Sequence, residues 1–102
     1  MAVRIEQEEN KMTAYLSGEI DHHNAKEIRE TIDFSVESSL PEILALDFGE
    51  VTFMDSSGIG LVMGRYKLMQ SMNGKLCLSH VSSHIQKVMK LAGLDKLASI
   101  EK

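Results

Sequence analysis

Cysteine occurs only once in these 102 residues, at Cys77 in the stretch KLCLS. A single thiol excludes an intramolecular disulfide and a cysteine metal cluster. Its apolar neighbours read as a buried strand rather than the setting of a reactive nucleophile. Long apolar runs are lacking too: the stretches at 43–46 and 60–63 fall far short of the ~20 residues that span a bilayer. The first residues carry Arg4, Glu6 and Glu8 and no apolar core of an export signal, so the expected compartment is the cytoplasm. Positive charge is scarce, with 11 Lys and Arg against 15 Asp and Glu. A nucleic-acid binder needs a basic face, so the expected partner is a protein or a small ligand, with no nucleic acid and no membrane. No repeat, linker or low-complexity tract interrupts the chain. Its length suffices for one domain, residues 1–102, and not for two.

Hydrophobic periodicity supplies the elements. Residues 3–8 and 11–17 alternate with period two, placing Val3 and Ile5, then Met12, Ala14 and Leu16, on one side. They read as an antiparallel hairpin, with Asn10 in the left-handed turn position. Residues 24–38 read as a helix with Ala25, Ile28, Ile32 and Val36 inward. Asn24 is the expected N-cap, and Glu27 completes a capping box. Pro41 ends that helix. Residues 42–48, with a continuous apolar run from Ile43 to Leu46, read as a central strand covered on both faces. A second helix is expected from 56 to 72, with Ile59, Val62, Met63, Tyr66 and Met69 inward and Arg65, Lys67 and Gln70 outward. Asn73-Gly74 stops it. Residues 75–79 form a strand. A third helix follows, capped by Ser82 or Ser83, with Ile85, Val88, Met89 and Ala92 inward and a stop at Gly93-Leu94. Residues 97–100 suit a last short strand. The order β-β-α-β-α-β-α(-β) implies a single α/β domain with parallel crossovers, an antiparallel edge and a mixed sheet of four or five strands.

Chemistry concentrates in FMDSSGIG, residues 53–60. A nucleophile elbow needs glycine two before and two after its serine. Ser56 has Met54 before it and Gly58 after it, and Ser57 matches on neither side. A catalytic triad also needs a histidine held by a carboxylate, and the sequence does not place any of the four histidines near these serines. Gly58, Gly60 and Gly64 form G-x-G-x-x-x-G, which is neither the dinucleotide fingerprint nor a P-loop. As plain structure, Asp55 caps the helix by accepting N–H bonds, and Gly60 and Gly64 let the helix approach the sheet. A cap does not account for both serines, however, and each helical glycine costs ~1 kcal/mol relative to alanine. Chemistry alone leaves a cap and a functional serine both open. The histidines His22 and His23 are adjacent and diverge, which makes a poor metal pair. His80 and His84 are four apart, but a helix start lies between them, and both are read as exposed residues rather than metal ligands. Glu19, Asp21, His22 and His23 suit a polar contact loop between strand and helix.

GEIDHHNA, then FMDSSGIG, then GRYKLM resembles the anti-sigma factor antagonist family, whose fold is the STAS domain. DHH with GRYK is similar to its sporulation branch. The resemblance covers essentially the whole chain, and it implies a further C-terminal helix beyond SIEK that this sequence does not include. It implies a protein that is not an enzyme and needs no cofactor. In its unphosphorylated form such a protein binds an anti-sigma factor that is also an ATP-dependent serine kinase, and so frees a sporulation sigma factor. Phosphorylation of the serine after the aspartate, Ser56 here, switches it off. A metal-dependent, PP2C-like serine phosphatase restores it. The partner-contact set is then Glu19, Asp21, His22, His23, Met54, Asp55, Ser57, Gly58, Ile59 and Gly60, with no metal ligand among them. Alternatives are a general-stress antagonist of the same fold and a small nucleotide-binding protein.

Overall fold

The computed structural model describes residues 2–102. Among them β1 (Val3–Glu8) and β2 (Lys11–Ile20) form the hairpin, followed by α1 (Ala25–Ser39), β3 (Ile43–Met54), α2 (Ser56–Ser71), β4 (Lys75–Ser79), α3 (Ser83–Leu91), a 3-10 turn (Leu94–Lys96) and β5 (Ser99–Ile100). The sheet runs β1-β2-β3-β4-β5. β1 is antiparallel to β2, and every later pairing is parallel. Strand order equals chain order, so each βαβ crossover steps the same way. With the usual right hand of such crossovers, the three helices stack on one face of the sheet.

Register shows which face that is. Met12, Leu44 and Leu76 are neighbours across three strands, as are Ala14, Leu46 and Leu78, and all six are buried. Ile28, Ile32 and Val36 of α1, Leu61, Val62 and Met69 of α2, and Ile85 and Met89 of α3 join them in one core. The opposite rows run Thr13-Ala45-Cys77 and Tyr15-Asp47-Ser79. β3 is therefore central, but its apolar run meets helices on one face only. Burial pushes the Cys77 thiol above its ordinary pKa, which fits a strand residue kept as thiol rather than thiolate.

Several local expectations change. β2 extends to Ile20 and β3 to Met54, beyond the 17 that alternation suggested for β2 and the 48 that the apolar run suggested for β3. The left-handed residue of the hairpin is Glu9, φ 49°, not Asn10. Asn24 flanks α1 without a capping bond, and no capping box forms with Glu27. Asp21 takes over: its Oδ1 accepts the N–H groups of His23 (3.0 Å) and Asn24 (3.1 Å), while Asn24 Nδ2 donates to the Glu19 carbonyl. Ala92 is exposed, because α3 ends at Leu91. Ser82 is the cap that α3 uses, accepting from Ile85 N–H. Gly93 turns left-handed and sends Leu94 into the core.

The largest correction concerns α2. Arg65 was expected to face solvent and Met63 the core. Arg65 is buried, at 5% exposure, whereas Met63 is 37% exposed. The helix packs through Gly58, Leu61, Val62, Arg65 and Met69. A charge can occupy that stripe because Asp33 of α1 meets it, with Arg65 Nε 2.9 Å from Asp33 Oδ1.

Candidate functional site

The parallel pairing of β2 with β3 ends at Glu19–Phe53 and Ile20–Met54. The chain leaves both strands side by side, and Asp55 N–H donates to the Ile20 carbonyl at 3.1 Å. The loop GEIDHHNA and the segment FMDSSGIG, distant in sequence, thereby form one surface at the C-terminal ends of the strands. Loops at such ends are where α/β folds place their contacts.

Asp55 is the N-cap of α2: extended backbone, with Oδ1 accepting Ser57 N–H at 2.8 Å. Ser56 is the first helical residue and is exposed, while Ser57 is half-buried. Among the described residues no histidine or carboxylate is hydrogen-bonded to the Ser56 hydroxyl. The site therefore offers an oxygen without an attached base. No three His, Cys, Asp or Glu side chains among the described residues converge as a metal cluster would require.

The predicted contact residues are brought together but do not all face outward. Glu19, His22, His23 and Gly60 are exposed. The rings of His22 and His23 lie 4.0 Å apart. Asp21 is occupied by its two backbone bonds and shapes the loop. Met54, Asp55 and Ile59 are half-buried.

Gly58 is buried rather than superficial. A Cβ there would stand 2.5 Å from Met54 Sδ, closer still to Met54 Cγ, and 3.3 Å from Ile20 Cγ2. Gly58, not the Gly60 and Gly64 pair, is the close approach of α2 to the sheet, for a Cβ at either of the other two meets nothing within 4 Å. Opposite effects are expected. Gly60→Ala raises stability by up to ~1 kcal/mol through helix propensity. Gly58→Ala lowers it by about 1–2 kcal/mol as overpacking outweighs that gain. Urea unfolding of both variants checks this, and equal effects would sink the assignment.

Sequence reasoning missed three neighbours of the site. Phe53, 50% exposed, adds an apolar contact beside Glu19; its signal was an aromatic immediately before the MDSSG string. Lys26 and Arg29 line a groove of about 400 Å³ between α1 and α2, together with His22, Ala25, Ser57, Gly60 and Leu61. Their spacing of three on α1 was the available signal. Elsewhere, His80 is not a plain loop histidine: its Nδ1 lies 2.7 Å from Asp47 Oδ2, and Asp47 Oδ1 accepts Gly49 N–H. That pair lies in a wider depression of about 1000 Å³ lined also by Arg4 and Tyr15.

Comparison with known proteins identifies the family and the fold. The STAS domain family pattern matches residues 2–102. An anti-sigma F factor antagonist of Paenibacillus polymyxa is 32% identical over 102 residues, covering 98% of this chain and 87% of that protein. An anti-sigma-B factor antagonist of Listeria monocytogenes is 26% identical over 97 residues, covering 94% and 83%. The anti-sigma factor antagonist SpoIIAA in its unphosphorylated form superposes with a TM-score of 0.85 at 29% identity, covering 99% of this chain and 89% of that one. The phosphorylated form of SpoIIAA from Bacillus gives 0.78 at 29% identity, covering 99% and 92%.

Proposed function

This chain belongs to the STAS domain family, and on that premise we propose that it is an anti-sigma factor antagonist switched by phosphorylation of Ser56. The unphosphorylated protein binds an anti-sigma factor that is also an ATP-dependent serine kinase, and so releases a sporulation sigma factor. A PP2C-like phosphatase reverses the modification. The protein is then a ligand and a substrate, and the catalysis belongs to its partners. One observation carries the reading: Ser56 is an exposed hydroxyl at the start of α2, held beside the double-histidine loop by the Asp55–Ile20 backbone bond.

The surface suits that role. Ser56 stands where the chain turns from β3 into α2, with bare Gly60 one helical turn on. A kinase cleft can reach the oxygen, and a docked partner can reach the backbone. Ser57 is the poorer acceptor, being half-buried with its N–H committed to Asp55.

Incubation with the candidate anti-sigma kinase and ATP, read by intact mass and peptide mapping, tests the assignment. One phosphate on Ser56 is expected. Ser57→Ala remains a substrate, and Ser56→Ala accepts nothing while still binding. Phosphate found on Ser57 would overturn the site. A second reading, a general-stress antagonist, is favoured by the likeness to the anti-sigma-B antagonist. Titration against the anti-sigma factors of both pathways separates the two, since the cognate one binds more tightly.

A further inference from the structure

We propose that the groove between α1 and α2 is a docking site for the phosphate carried by Ser56 of the same chain, with Lys26 and Arg29 as its ligands. The inference rests on the reading of Ser56 as the acceptor. It adds a role for α1 in holding the modified state.

The groove is lined by His22 from the loop, Lys26 and Arg29 from α1, and Ser57 and Gly60 from α2. No acidic side chain lines it. Lys26 and Arg29 lie on one face of α1, are exposed, and make no hydrogen bond or ion pair among the described residues. The carboxylates near them are otherwise engaged: Asp33 meets Arg65, Asp21 holds two backbone N–H groups, and Asp55 holds Ser57 N–H. Glu27 and Glu30 lie on α1 but outside the groove lining. Two cations and a histidine therefore face a space without a counter-charge in a chain whose net charge is −4.

Position points to the occupant. Ser57 and Gly60 both line the groove, and Ser56 immediately precedes Ser57 and stands one helical turn before Gly60 at the exposed head of α2. A Cβ at residue 60 would meet nothing within 4 Å, so no side chain of α2 fills the groove at that position. A group tethered there has a high effective concentration in the groove, which a separate acidic ligand lacks. Phosphate is the match, carrying about −1.5 to −2 charge with three acceptor oxygens. Held by an Arg and a Lys, it forms charge-assisted hydrogen bonds and is partly shielded from a phosphatase.

The test installs phosphoserine at position 56 during synthesis of the full chain, so that no kinase is needed. The 31P resonance is titrated with pH in the wild-type background and in Lys26→Gln/Arg29→Gln. Removing two adjacent cations is expected to raise the second phosphate pKa by about half a unit to one unit. Lys67→Gln/Lys87→Gln removes the same charge from exposed positions outside the groove and is expected to leave the curve in place. Circular dichroism verifies that all variants are folded. In parallel, the groove variant is expected to lose its phosphate to a PP2C-like phosphatase severalfold faster. Superimposable titration curves for the wild type and the groove variant would overturn the proposal. So would equal shifts in the two double variants, or a groove variant that loses only partner affinity. A kinase that ignores Ser56 would instead sink the functional reading and leave this titration intact.

Discussion

Replacing Asp33 by alanine is expected to cost about 3 kcal/mol and to lower the midpoint of thermal unfolding by roughly 12–20 °C for a domain of this size. The effect is large because Arg65 is left behind. Its side chain is 7% exposed, whereas that of Asp33 is 29% exposed. Burial depresses the Arg65 pKa, and Asp33 opposes that depression while Arg29 adds to it. Arginine keeps its proton at any working pH, so without Asp33 the buried charge has no escape by neutralisation. Its remaining bond, Nη1 to the Leu61 carbonyl at 3.3 Å, is long. The pair itself meets at two points: Nη2 donates to Oδ2 at 3.3 Å, and Nε approaches Oδ1 to 2.9 Å at an angle off-line for a hydrogen bond.

The converse substitution is milder. In Arg65→Met the abandoned carboxylate is partly hydrated, and an apolar side chain of suitable length fills the stripe. A loss of about 1 kcal/mol is expected, and the double variant Asp33→Ala/Arg65→Met should recover most of the Asp33→Ala loss, since a buried ion pair replaced by apolar packing is often near neutral. Urea unfolding with an unchanged slope measures all three. An Asp33→Ala protein within ~0.5 kcal/mol of wild type, the scatter of ordinary surface substitutions, would show that the pair does not hold the helices. This pair joins α1 to α2, whose N-termini carry the two halves of the candidate site. The Asp33→Ala variant should therefore also bind its partner less well, even at temperatures where it is folded.

That arrangement explains why the sequence reveals some parts and hides others. Strands and helices were legible wherever one face is apolar: Met12, Ala14 and Leu16 alternate, and Ile28, Ile32 and Val36 recur at helical spacing. The inward face of α2 was legible only in part: Val62 and Met69 are buried as expected, but its packing also uses Gly58 and Arg65. A residue without a side chain and a charge paired across 32 positions both vanish from a hydrophobic pattern. The outward Met63 and the half-buried Tyr66 then drew the expected stripe to one side of the buried one. The ends of β2 and β3 were hidden for a different reason. Their last residues, such as Glu19 and Phe53, are exposed partners in a ladder, so alternation stops before the hydrogen bonds do. The cap of α1 shows competition between local groups: Asn24 has the right chemistry, but Asp21 offers a ready acceptor and leaves the Asn24 amide for the Glu19 carbonyl. At the candidate site, residue types and spacing identified the loop and the serines. Only the register Ile20–Met54 explains why they meet, and only the packing of α1 on α2 brings Lys26 and Arg29 beside them.

Ser56→Asp is expected to bind the anti-sigma kinase at least a hundredfold more weakly than wild type, and the phosphorylated protein more weakly still. Charge and solvation produce the loss. A carboxylate at position 56 stands next to Asp55, and two like charges ~4 Å apart repel by ~1 kcal/mol in water and ~4 kcal/mol at an effective dielectric of 20. In the free protein, water and the start of α2 soften this, the helix terminus returning ~0.3–1 kcal/mol to an anion in its first turn. At a dry interface the water is gone, and the new charge is desolvated as well. Phosphate roughly doubles the charge. Each 1.4 kcal/mol is tenfold in affinity, so a loss of about 3 kcal/mol gives the stated hundredfold. Because the same helix start favours the charge in isolation, the unfolding midpoint of Ser56→Asp should equal that of wild type or lie slightly above it. This separates a binding defect from a folding defect and fits a switch made by local charge with little change of fold. Calorimetric titration of wild type, Ser56→Ala and Ser56→Asp against the kinase supplies the numbers: Ser56→Ala near wild type, and Ser56→Asp weak but partly restored as salt screens the repulsion. An Asp variant that binds within threefold of wild type would mean that charge at the head of α2 does not control the complex, and the phosphate would then have to act through its bulk.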